Sequence, residues 1–119
     1  MRILLVEDHA DAREVLTRLL ELEGHQVTAT ADGRQGLAAA PGFRPDAVVI
    51  DIGLPDMSGY DVARQLRATP TGAKIPMVAM TGFNDRRDQL KALEAGFDRH
   101  LVKPVDSDDL LAVLSVLTP

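Results

Sequence analysis

The chain has 119 residues, a formal charge of −5, 3% aromatic residues and no cysteine. That length fits one domain with one core and leaves no room for a second domain of ordinary size. The acidic balance argues against broad attraction to nucleic acid or an anionic membrane, and the missing thiol excludes disulfides, thiol catalysis and thiolate metal sites.

Ile3-Leu4-Leu5-Val6 is an unbroken apolar run, the pattern of a strand buried on both faces. It is too short for a signal peptide and is followed by Glu7 and Asp8; no stretch reaches membrane-spanning length, so a cytoplasmic location with no membrane insertion is the default expectation. Ala12, Val15, Leu16, Leu19 and Leu20 recur at three- and four-residue steps and predict one helical stripe, stopped by Gly24. His25 to Thr30 reads as a strand. Asp32 caps a short helix through Ala39, which Pro41-Gly42 ends. Ala47 to Ile50 is a second buried strand and delivers Asp51 at its end. Gly53 to Gly59 is a loop by its Gly and Pro content, and Ser58 with Asp61 resembles a capping box for a helix to about Ala68. After a loop over Thr69 to Pro76, Met77 to Met80 forms a strand ending at Thr81. Asn84 caps a helix through Ala95 with Gly96 as its stop. Arg99 to Val102 is the last strand, ending at Lys103-Pro104, and Asp106 or Ser107 opens a helix whose inner face is Leu110, Leu111, Leu114 and Leu117.

Alternating strands and helices of this length imply an α/β fold with a parallel sheet covered on both faces. Right-handed crossovers leave few topologies, and the expectation is a flavodoxin-like, doubly wound (βα)5 sheet in the order 2-1-3-4-5. In such sheets ligands bind outside the carboxyl ends of the strands. The polar residues there are Glu7 and Asp8, Asp51, Thr81 and Lys103. Three converging carboxylates face one ammonium. Two like charges 4 Å apart repel by about 4 kcal/mol at an effective dielectric of 20, so the cluster needs a further cation. Mg2+ suits oxygen ligands of this kind and also serves phosphoryl transfer. Each member alone has a plainer reading, as a helix cap, a turn or a solvated lysine; the joint pattern at four strand ends is what points to chemistry.

These residues are similar to those of response-regulator receiver domains of two-component systems. The resemblance rests on Val6-Glu7-Asp8, Asp51-Ile52-Gly53-Leu54-Pro55-Asp56-Met57-Ser58-Gly59, Met80-Thr81-Gly82, Ala95-Gly96-Phe97-Asp98 and Val102-Lys103-Pro104. It covers nearly the whole chain, so residues 1–119 read as a single receiver domain. The resemblance implies that Asp51 accepts a phosphoryl group from a phosphohistidine on a histidine kinase or phosphotransfer protein. It implies that Asp8, Asp51 and the Gly53 carbonyl bind Mg2+, with Glu7 holding a metal-bound water. Lys103 would pair with one phosphoryl oxygen and Thr81 with another, and the Lys103-Pro104 bond is expected to be cis. The output would be a conformational switch acting on a downstream protein target or output domain, with no direct contact to nucleic acid. Such a chain is a signalling phosphoacceptor that promotes its own phosphorylation and dephosphorylation, not an enzyme acting on a separate substrate.

His100 is the main departure: the family carries an aromatic residue there, which turns into space beneath the moving Thr. A switch role and a plain edge-strand histidine both fit. Gly53 offers only backbone to the site, and Phe83 places an apolar group near its mouth; both positions govern the lifetime of the phosphorylated state in the family. Several readings stay open. The chain can be a stand-alone regulator or a module of a hybrid histidine kinase, which the tract from Thr81 to Asp106 particularly resembles. A Mg-dependent carboxylate enzyme, a phosphatase or Toprim-like, usually shows an Asp-x-Asp pair, whereas Asp51 is followed by Ile52-Gly53. A flavin-binding protein lacks support because no Thr- and Ser-rich loop follows the first strand. Partner kinase and oligomeric state are not legible.

Overall fold

A computed structural model describes residues 1–82 and 86–117. Phe83 and Asn84 lie outside the described residues, so the expected cap and the apolar group at the site mouth have no structural counterpart here. The elements run β1(Arg2–Val6), α1(Ala10–Leu22), β2(Gln26–Thr30), α2(Gly33–Phe43), β3(Ala47–Asp51), α3(Gly59–Arg67), β4(Met77–Thr81), α4(Arg86–Ala95), β5(Arg99–Val102) and α5(Ser107–Leu117). The strands form one parallel sheet in the order β2-β1-β3-β4-β5, as the sequence pattern predicts.

Side chains alternate across a strand, so each central strand feeds two cores. Leu4, Val6, Val48, Ile50, Met77 and Ala79 pack with Val62, Ala63, Leu66, Ala92 and Ala95 of α3 and α4. Ile3, Leu5, Ala47, Val49, Val78 and Met80 pack with Leu16, Leu20, Leu110 and Leu114 of α1 and α5. β1, β3 and β4 are buried throughout, apart from the first residue of β1. Burying each of their aliphatic side chains contributes about 1.5–3 kcal/mol before entropy is counted. This fixes the backbone at the carboxyl ends, where the site residues follow. Among the described residues no helix is long and apolar enough to cross a membrane.

Most boundaries fall where the sequence places them. Asp32 caps α2 by accepting from the Gln35 N–H at 2.8 Å, and Ser58 caps α3 by accepting from the Asp61 N–H at 3.2 Å. Asp106 opens α5: its carboxylate accepts from the Asp108 N–H at 2.8 Å. Gly24 and Gly96 stop α1 and α4 in the left-handed region, at φ +90° and +106°. Two expectations are corrected. Val15 is 56% exposed, so the buried stripe of α1 is narrower than the periodicity suggests and centres on Leu16 and Leu20. α2 does not stop at Ala39 but continues through Pro41 to Phe43. Pro41 has no N–H to give the helix there, and the last turn is held by tertiary contacts. The Arg2 guanidinium lies 4.3 Å from the centre of the Phe43 ring, and its Nε donates to the Phe43 carbonyl at 2.8 Å.

Candidate metal and phosphoacceptor site

β1 ends in Val6, fully buried, and the next residue is Glu7, whose backbone N–H continues the sheet by donating to the Thr30 carbonyl at 3.0 Å. The sheet therefore carries the Glu7 side chain into the interior, where only 1% of it is exposed. Asp8 follows on the rim, with 26% of its side chain exposed. Arg13 of α1 donates through Nη1 to the carbonyls of Glu7 and Asp8 at 2.9 and 3.3 Å, which pins the backbone of the acidic pair.

Asp51 closes β3 and is 3% exposed. The loop after it is anchored on both sides: the Ile52 N–H donates to Met80 O at 3.0 Å, and the Gly59 N–H donates to Ile52 O at 2.9 Å. Gly59 is required at that point, because a Cβ there would stand 2.5 Å from Asp51 O and 2.7 Å from Ile52 Cα. Further along the loop, the Asp56 carboxylate accepts from the N–H groups of Gly33 and Arg34, both at 2.9 Å. A residue of the loop after β3 thus binds the first N–H groups of α2.

Lys103 joins the strands. Its backbone N–H donates to Thr81 O at 2.7 Å, and the Lys103-Pro104 bond is cis, as the resemblance implies. Its Nζ lies 2.8 Å from Asp51 Oδ2 and 3.1 Å from Glu7 Oε1. Asp51 Oδ1 accepts from the Gly53 N–H at 3.1 Å. Glu7, Asp8, Asp51 and Lys103 are thus brought together at one sheet edge, with Gly53 beside them. Thr81 ends β4, 5% exposed. His100 sits half-buried in the edge strand β5, paired in register with Ala79. A Cβ added at Gly53 would lie 3.9 Å from Asp51 Oδ1, and one added at Gly82 would meet nothing within 4 Å, so the mouth is open at both glycines.

The electrostatics separate the two buried acids. Burial raises the Glu7 pKa most, reinforced by its hydrogen bond to Asp51 and by that residue's charge, and the Lys103 ammonium only partly offsets this. Burial also opposes ionisation of Asp51, but hydrogen bonds from Glu7, Lys103 and the Gly53 N–H, with the Lys103 charge, together hold its carboxyl below the usual range. Lys103 loses some preference for its charged form to burial, and its bonds to Asp51 and Glu7 more than restore it. Glu7 therefore holds a proton more readily, and Asp51 ionises more readily, than the free side chains do.

The donor set suits a hard cation. Ligand atoms of Glu7, Asp8, His9 and Asp51 all lie within 4.8 Å of one another. Asp8 Oδ1 is buried and accepts no hydrogen bond. A buried carboxylate oxygen without a donor is costly, and a divalent ion among oxygen ligands satisfies it. The sequence singles out neither His9 nor Arg13, because a histidine and an arginine opening an amphipathic helix carry no spacing signal. Beside the acids, a cavity of about 630 Å3 is lined by Ala12, Val15 and Leu16 of α1, Met80, and Pro104 and Val105.

Comparison with known proteins agrees with this fold. Residues 3–115 match the family model of the response regulator receiver domain. The chain is 38% identical over 117 residues, 98% of its length, to the response regulator MprA of Mycolicibacterium vanbaalenii, covering 50% of that protein. It is 40% identical over 111 residues, 93% of its length, to the DNA-binding response regulator MtrA of Mycobacterium tuberculosis, covering 47% of that protein. The chain therefore spans about half the length of the curated relatives it matches. Among solved structures, the chemotaxis protein CheY4 of Vibrio cholerae superposes with a TM-score of 0.94 at 27% identity, covering 98% of this chain and 97% of that one. The receiver domain of the sensor histidine kinase PA1611 of Pseudomonas aeruginosa, solved with a magnesium ion coordinated in its active site cleft, superposes with a TM-score of 0.90 at 34% identity, covering 98% and 96%.

Proposed function

The chain belongs to the response regulator receiver family, and from that premise we propose that Asp51 is its phosphoacceptor and that Asp8, Asp51 and the Gly53 carbonyl hold Mg2+, with Glu7 positioned to hold a water on the ion. The observation that carries this is the contact of Lys103 Nζ with Asp51 Oδ2 at 2.8 Å, across strands that are 52 residues apart in the chain. An ammonium fixed on a buried, ionised aspartate at the open edge of the sheet is what an acyl-phosphate site requires. When bound, the cation supplies charge neutralisation for the oxygens of the transferring group.

The residues of the chain do the rest. Asp51, ionised by its hydrogen bonds, forms the new O–P bond as the P–N bond of a phosphohistidine breaks and the imidazole departs. Lys103, already at the acceptor oxygen, stays within reach of a phosphoryl oxygen. Thr81 provides a hydroxyl at the end of the neighbouring strand, and His100 on β5 occupies the position from which a switch side chain answers the Thr81 movement. The apolar groove against α1, with Val15 exposed at its edge, receives the helix that presents the phosphohistidine, from a histidine kinase or phosphotransfer protein. The output is control of a downstream protein or of an output domain. Incubation with acetyl phosphate and Mg2+ followed by mass spectrometry is expected to place a labile phosphate on Asp51, and Asp51→Asn is expected to abolish it. Label retained in that variant moves the acceptor elsewhere.

A further inference from the structure

The loop after β3 is fixed on both sides of Gly53 and hardly at all at Gly53 itself. Upstream, the Ile52 N–H is held by Met80 O at 3.0 Å and the Ile52 carbonyl by the Gly59 N–H at 2.9 Å. At Gly53, an added Cβ would meet only Asp51 Oδ1 beyond the chain neighbours, at 3.9 Å. Glycine also has the widest backbone freedom, so the direction of the Gly53 carbonyl and N–H is set by the chain on either side. Downstream, that chain is fastened to α2. The two oxygens of Asp56 accept separately from the Gly33 and Arg34 N–H groups, both at 2.9 Å. Beside them, Met57 lies so close to Gly33 that a Cβ on that glycine would stand 2.5 Å from Met57 Cγ. Only Gly53, Leu54 and Pro55 separate the two fixed points, and Pro55 has its φ locked by its ring. Leu54 rests partly buried on the core, an apolar contact that is not directional, whereas the hydrogen bonds of Asp56 are.

The needs of α2 do not explain this contact. The helix has its own cap: Asp32 Oδ1 accepts from the Gln35 N–H at 2.8 Å, and Gln35 Oε1 accepts from the Ala31 N–H at 3.1 Å. A second carboxylate, from beyond β3, takes the two other amides of the same first turn. Its bonds are charge-assisted and lie at the positive end of the helix, so they are stronger than bonds between neutral groups. We propose that Asp56 is a positioning residue of the phosphoacceptor site: its bonds to α2 fix the loop that carries the Gly53 carbonyl and N–H, which rests on the reading that Gly53, Asp8 and Asp51 hold Mg2+. Asp56 acts through the backbone, since its carboxylate meets the helix amides and not the acids or Lys103. α2, which supplies no side chain to the site, thereby shares in holding the ion.

The test uses the full chain as wild type, Asp56→Ala, Asp56→Asn and Asp32→Ala. Without Mg2+, 15N relaxation is expected to give the Gly53 amide an order parameter of about 0.85 in wild type, falling toward about 0.6 in Asp56→Ala. Mg2+ affinity measured by calorimetry is expected to fall by about fivefold or more in Asp56→Ala. Asp56→Asn keeps one acceptor oxygen for the two amides and is expected to lie between wild type and Asp56→Ala in both measurements, and it keeps the test intact if the alanine variant does not fold. Asp32→Ala removes the helix's own cap and leaves the loop tied, so Gly53 is expected to stay ordered, with Mg2+ affinity within about twofold of wild type. A Gly53 amide equally ordered in wild type and the Asp56 variants, an unchanged Mg2+ affinity in those variants, or an equal loss in Asp32→Ala overturns the inference and leaves the metal site standing. Wild type that binds no Mg2+ overturns the metal reading and the inference with it.

Discussion

Neutralising Asp8 is expected to stabilise the ion-free protein and to abolish its response to Mg2+. The ligand oxygens of Glu7, Asp8 and Asp51 lie within 4.8 Å of one another, and two full charges at that separation repel by about 3.5 kcal/mol at an effective dielectric of 20. Three effects reduce this for Asp8. Lys103 compensates Asp51 and Glu7 directly, Glu7 takes up a proton more readily than a free glutamate, and the Asp8 side chain is 26% exposed to screening water. The remaining relief in Asp8→Asn is about 1–2 kcal/mol, or roughly 4–8 °C in Tm for a chain of this size. With Mg2+ the order reverses. At ten times its Kd the ion stabilises wild type by about 1.4 kcal/mol and gives the variant little. Thermal melts followed by circular dichroism, with chelator and then with millimolar Mg2+, check both halves. A variant that melts below wild type in chelator refutes the claim that the carboxylates repel in the fold. A variant that keeps the full Mg2+ gain refutes the assignment of Asp8 as a ligand.

Lys103→Ala is expected to weaken the NMR response to a beryllium trifluoride phosphoryl mimic by more than it weakens Mg2+ binding, because its Nζ meets an Asp51 oxygen and no other cation does so among the described residues. Gly59→Ala is expected to cost about 1–3 kcal/mol in urea unfolding and to slow acetyl phosphate labelling, since the added Cβ would stand 2.5 Å from Asp51 O. Asp56→Ala should lower stability at neutral pH, with the difference closing in acid. The Gly33 and Arg34 N–H groups hold the Asp56 carboxyl below its ordinary value, so its contribution is complete above about pH 4 and lost as pH falls through the lower folded value. Urea midpoints from neutral pH down to about pH 2.5 give the measurement, and a gap that stays constant with pH contradicts this contact.

The fold was legible because parallel strands between covering helices are apolar along their whole length, and Ala47 to Ile50 and Met77 to Met80 show this directly. That Glu7, Asp8, Asp51 and Lys103 meet, with Thr81 ending the neighbouring strand, follows from the same arrangement: a parallel sheet sends every strand's carboxyl end to one edge. What stayed hidden depends on contacts between distant segments. Asp56 reads as a loop residue, and only the packed structure brings it onto Gly33 and Arg34, more than 20 positions earlier. Pro41 reads as a stop until Arg2 is seen holding Phe43. Val15 fits the helical period but falls at the edge of the groove, because periodicity gives a face and not its width. His9 follows an acidic pair, and nothing in its type or spacing tells whether its ring turns to the helix amides or to the carboxylates.

The same rigidity that builds the site limits how it can relieve its charge. Val6 and Ile50 are fully buried, and the acids come directly after them, so Glu7 and Asp51 cannot move apart without breaking the sheet. Three outlets remain: a proton on Glu7, the Lys103 ammonium and a bound cation. They act on the same group of oxygens. Asp51 Oδ2 is taken by Lys103 and Oδ1 by the Gly53 N–H, while Asp8 Oδ1 alone among the buried side-chain polar atoms described has no hydrogen bond. Each Asp51 oxygen accepts one hydrogen bond and keeps a lone pair, so a cation could reach Asp51 with the Gly53 amide and the Lys103 ammonium in place. Lys103 is joined through its own backbone to Thr81, so the residue that meets Asp51 is also tied to the end of β4. The one lysine links the Asp51 charge to the strand end, and its removal is therefore expected to weaken a phosphoryl response at Asp51 more than Mg2+ binding.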